Sequence, residues 1–137
     1  MASEVARVIK PGGLLVASDW MRSNDEPLSA KMMEYIEAEG MDMHMCSISR
    51  YRDAIALAGF VDIELNDRNR WYSDLAKREV AAMGRSPLRE KIVNLIGENE
   101  AKNTIEIWKK TIAVLESGEH RPGHIRARMP DAKMNIG

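Results

Sequence analysis

The chain has 137 residues with 20 basic and 21 acidic side chains, a formal net charge of −1. That balance excludes the electrostatic footprint of a nucleic-acid or anionic-membrane binder, and no run approaches the roughly 18 apolar residues of a membrane-spanning helix. One cysteine, Cys46, excludes an internal disulfide framework and suits a reducing, cytoplasmic setting.

The opening "MASEVARVIK" carries Glu4 and no long apolar core, so it does not read as a signal peptide. "SEVARVIK" predicts a helix end with Ser3 as cap and Val5, Val8 and Ile9 on one face. "PGG" at 11–13 breaks it, and "LLVAS" at 14–18 predicts a strand buried on both faces. After the loop "SNDEP", the spacing of Leu28, Met32, Tyr35 and Ile36 predicts a helix stopping at Gly40. "SISRYRDAIALAGF" places Tyr51, Ile55 and Ala58 on one helical stripe, with Gly59 where a C-terminal cap belongs. "FVDIEL" alternates, which predicts a strand with Val61, Ile63 and Leu65 on one side and Asp62 and Glu64 on the wetter one.

The next fifty residues predict helices. Ser73 is the expected cap of one; Ser86, with Pro87 at the first helical position, opens another that stops at Gly97. Ala101, Ile105, Trp108, Ile112 and Leu115 mark a third, ended by Gly118. "RPG" then turns the chain into a last strand, "HIRARMP", and residues 131–137 are expected to form a flexible tail. The fold class is α/β: one domain over residues 1–130, with a three-stranded mixed sheet carrying helices.

Several residue groups have a bland and a chemical reading. Asp19 and Trp20 are expected at the C-terminal end of the first strand, where open α/β sheets place ligands; a cap and a packed indole are the alternative. "MDMHMCS" at 41–47 gathers thioethers, His44 and the Cys46 thiol, donors that suit Cu(I), yet no second ligand cluster accompanies them. Methionines filling gaps are the favoured reading, and no metal site is expected. The basic cluster of His120, Arg121, His124, Arg126 and Arg128 either binds an anion or pairs with Asp62 and Glu64 on a neighbouring strand, the latter being favoured.

The words "ARVIKPGGLLVASDW", "AIALAGFVDIEL" and "GHIRARMP", in that order, resemble the C-terminal half of a class I S-adenosylmethionine-dependent methyltransferase. They match its fifth strand, its sixth strand and the antiparallel seventh strand inserted between those two. "SDWMRSNDEPLSAKMMEYIEAEG" is similar to the phosphoethanolamine type of small-molecule N-methyltransferase, with Asp19, Trp20 and Tyr35 at matching positions. That type places an arginine and a second tyrosine soon after the helical tyrosine to grip a phosphate. Here Glu39 and Met41 stand in that region, and a carboxylate repels a phosphate.

The resemblance implies a partial Rossmann-like fold, S-adenosylmethionine as cofactor and a small-molecule acceptor contacted by Asp19, Trp20, Arg22, Tyr35 and His44. It also implies a missing cofactor half. "KPGGLL" precedes a strand, whereas the glycine turn that approaches the cofactor follows one. No cofactor-binding residues are therefore expected in the isolated chain, which is expected to be inactive alone. Its expected partners are a second copy, joined through the exposed strand near Gly13–Ser18, or a separate N-terminal half. The alternative is a non-enzymatic homodimeric binding module built from a methyltransferase remnant.

Overall fold

The computed structural model describes residues 1–131, so the expected tail lies, beyond Asp131, outside the described residues. The elements are α1 (Ala2–Val8), β1 (Leu14–Arg22), α2 (Ala30–Glu39), α3 (Ile48–Leu57), β2 (Val61–Asp67), α4 (Asn69–Met83), α5 (Leu88–Ile96), α6 (Glu98–Glu116) and β3 (His120–Arg128). They group into two compact units that alternate along the chain. The first combines Met1–Asp25, Met45–Arg68 and the chain from Arg121 on; the second combines Glu26–His44 and Asn69–His120.

The first unit holds the sheet, in the order β1-β3-β2. β3 runs antiparallel to β2, with Glu64 opposite Arg126, Leu65 opposite Ile125 and Asp67 opposite Gly123. On its other side, Met129 N donates to the Gly13 carbonyl (2.8 Å) and Gly12 N to the Met129 carbonyl (3.0 Å). The start of β1 thus faces the end of β3, and β1 and β2 point the same way on either side of an opposed strand. The turn into β1 needs both its glycines. Gly12 has φ +74°, and a Cβ on Gly13 would lie 2.8 Å from the Lys10 carbonyl oxygen.

α1 and α3 supply apolar cover. Met21, Tyr51, Ile55, Phe60, Ile125 and Ala127 form the buried core, with Val5, Ile9, Leu15, Ala17, Ile63 and Leu65 packed against it. Strand parity decides who joins: Leu15, Ala17 and Met21 face this core, whereas Leu14 and Val16 are 50% and 71% exposed. The expectation that "LLVAS" is covered on both faces is therefore corrected; within this unit one face is covered. β2 keeps the alternation for Ile63 and Leu65 but not for Val61. The register shifts between Val61 and Glu64, Asp62 sits at φ 52°, and this bulge turns Val61 out of the inward row.

Two strand boundaries also move. β1 continues to Arg22, so Asp19 and Trp20 lie within the strand, and "RPG" belongs to β3 instead of turning into it. Arg68 N donates to the Pro122 carbonyl at 2.8 Å, holding that segment to the end of β2.

In the second unit α6 packs against α2, α4 and α5 and buries Ala101, Thr111, Val114 and Leu115. α2 is capped at both ends: the Ser29 side chain accepts from Met32 N, and Gly40 closes the helix at φ 66°. α4 begins four residues before the expected cap, Ser73, which lies buried inside the helix. Asn69 explains the earlier start, since its Nδ2 donates to the carbonyls of Leu115 (2.9 Å) and His120 (2.7 Å) and fixes the first turn. α5 starts at Leu88, with Pro87 as its N-cap residue and no cap from Ser86, which bonds Glu90 instead.

Candidate functional site

The candidate residues fall in both units. Within the second half of β1, Asp19 Oδ2 accepts the Tyr51 hydroxyl at 2.8 Å, and Oδ1 accepts the Trp20 backbone N–H at 2.8 Å. Burial, and then the bond to Asp19, push the Tyr51 phenol well above its ordinary value, so it stays a donor. Trp20 is half-buried. Arg22 is buried at 7% exposure, and its backbone N–H donates to the Cys46 carbonyl at 2.9 Å beside a parallel bridge to Ser47.

Ser47 ties the segment together. As N-cap of α3 it accepts from Arg50 N (3.1 Å), while its own N–H and O–H donate to Asp25 at 2.9 and 2.6 Å. Those donors hold the Asp25 carboxyl below the usual carboxylate range. Cys46, half-buried next door, has its thiol pushed up first by burial and then by Asp25, the opposite of what a nucleophile needs. The sequence reading missed Asp25 and Ser47 as a pair. The capping potential of Ser47 was a legible signal; the carboxylate 22 residues away was not.

In the second unit Tyr35 is wholly buried and packs against His120, ring centroids 5.4 Å apart and planes tilted by 42°. Its hydroxyl has no hydrogen-bond partner among the described residues. Burial raises its pKa, with Glu39 and Tyr72 adding to the effect. His44 is different: its side chain is 87% exposed and lies 3.2 Å from the Asp42 carboxylate. Among the described residues no group of three or more His, Cys, Asp or Glu side chains is placed to hold a metal ion, and no helix is long and apolar enough to cross a membrane.

The basic cluster on β3 pairs across the sheet. Arg126 meets Glu64 at 3.0 Å, Arg128 meets Asp62 at 2.8 Å, and Arg121 meets Asp67 at 3.1 Å. On the uncovered sheet face a shallow cleft of about 450 Å³ runs beside the first of these pairs, lined also by Val16, Ser18, Asn66 and His124.

Against known proteins, no family model matches. Phosphoethanolamine N-methyltransferase 1 of Arabidopsis thaliana is 30% identical over 115 residues, which is 84% of this chain and 22% of that protein. The fold superposes on phosphoethanolamine N-methyltransferase 2 of Haemonchus contortus with a TM-score of 0.83 at 18% identity, over 95% of this chain and 29% of that one. The chain is methyltransferase-like. The Haemonchus protein was solved with phosphomonomethylethanolamine and S-adenosylhomocysteine. A second similar structure, the cyclopropane synthase MmaA2 of Mycobacterium tuberculosis, has a TM-score of 0.77 at 9% identity, over 93% of this chain and 48% of that one. Identities this low show the fold alone, and that fold is the Rossmann-like α/β one expected from "KPGG" and "AGF". This methyltransferase-like chain spans about a fifth of the length of the curated relatives it matches (22%).

The Haemonchus contortus enzyme was also solved in complex with S-adenosyl-L-methionine, and the described residues of this chain do not fit a glycine cradle for that group. The positive-φ glycines at 12, 40, 59, 97 and 118 each follow a helix. None follows a strand, where the backbone would approach the cofactor.

Proposed function

We propose that this chain is the acceptor-side portion of a small-molecule, S-adenosylmethionine-dependent N-methyltransferase working in the cytoplasm, with the cofactor-binding portion supplied by further polypeptide. The observation that carries this is the 30% identity to a phosphoethanolamine N-methyltransferase over 84% of the chain but only 22% of the relative. In this reading Asp19, Trp20 and Arg22, on β1, contact the acceptor. Asp19 is positioned by the Tyr51 hydroxyl. The described residues contribute no cofactor cradle, so methyl transfer requires the other portion. Calorimetric titration of S-adenosylmethionine into the chain alone is expected to show no stoichiometric binding. Methyl transfer should appear only after the chain is joined to the cofactor-binding portion of a relative. Tight binding by the lone chain would overturn the division of labour.

A second reading, a homodimeric interaction module, is favoured by one observation. β1 lies at the edge of the described sheet, and its first residues, Leu14–Ser18, carry no charge, with Val16 71% exposed.

A further inference from the structure

We draw no further inference here: the strongest candidate, the shallow cleft of about 450 Å³ on the uncovered face of the β1-β3-β2 sheet, beside Val16, Asn66, His124 and Arg126, carries none because nothing in the structure shows what covers it.

Discussion

At the scale of single residues, Ser47 does more than its type suggests. It is 1% exposed, caps α3 through Arg50 N, and gives two donors to Asp25. Ser47→Ala should therefore cost roughly 1–2 kcal/mol, the upper part of the range for a lost N-cap. The pH dependence follows from Asp25. Its folded pKa lies below its unfolded value because the Ser47 O–H and N–H favour the charged form. The stabilisation is thus present above the ordinary carboxylate value, about pH 4, and disappears as pH falls through the lowered folded value. Urea midpoints measured on the acid side should drop with falling pH in the wild type, and that slope should be shallower in Ser47→Ala. An equal slope in both would assign the acid sensitivity elsewhere. The pair was not legible because no local pattern links a loop carboxylate to a serine 22 positions later. The Arg126–Glu64 and Arg128–Asp62 pairs were legible, because alternation puts opposite charges on one face of adjacent strands.

At the scale of elements, β3 separates what stabilises from what decorates. Ile125 and Ala127 are each 1% exposed and sit in the core, while the neighbouring Arg126 pairs with Glu64 at side-chain exposures of 50% and 69%. Ile125→Ala removes buried methyl groups from between β1 and β2 and should cost roughly 2–5 kcal/mol. Arg126→Ala gives up an exposed ion pair and should cost less than about 1 kcal/mol. Chemical denaturation of the two variants side by side checks the ordering, and a reversed order would mean that the paired face is more buried than it stands here. Element identity was largely readable: every predicted helix and strand exists, because 3.6- and 2-residue periods survive in the sequence. Boundaries failed where the deciding contact is distant. α4 starts at Asn69 because of carbonyls at 115 and 120, and β1 reaches Arg22 because Cys46 and Ser47 receive its end.

At the scale of the whole molecule, the interleaving of two units could not be read from the sequence, since each is assembled from separated stretches and no composition shift marks the crossings. In the assembled sheet the backbone of β1 has two directions. Gly13 offers its carbonyl to β3, and Arg22, of opposite parity, sends its N–H away from β3 to Cys46. Leu14, Val16 and Ser18 share the parity of Arg22, so their backbone groups point outward along an uncharged edge, the arrangement that recruits another strand. We infer a homodimer formed by this edge of two copies, and two substitutions separate edge pairing from packing of the uncovered face. Ser18→Pro removes an outward N–H without touching the ladder to β3, which an edge strand tolerates. Val16→Lys places a charge on the exposed face. If the edges pair, sedimentation should give a dimer for the wild type and a monomer for Ser18→Pro, with Val16→Lys weakened as well. A dimer that survives Ser18→Pro and dissolves in Val16→Lys would assign the seam to the sheet face. A wild type that stays monomeric at its highest soluble concentration would remove self-association altogether and return this edge to the proposed complementary portion.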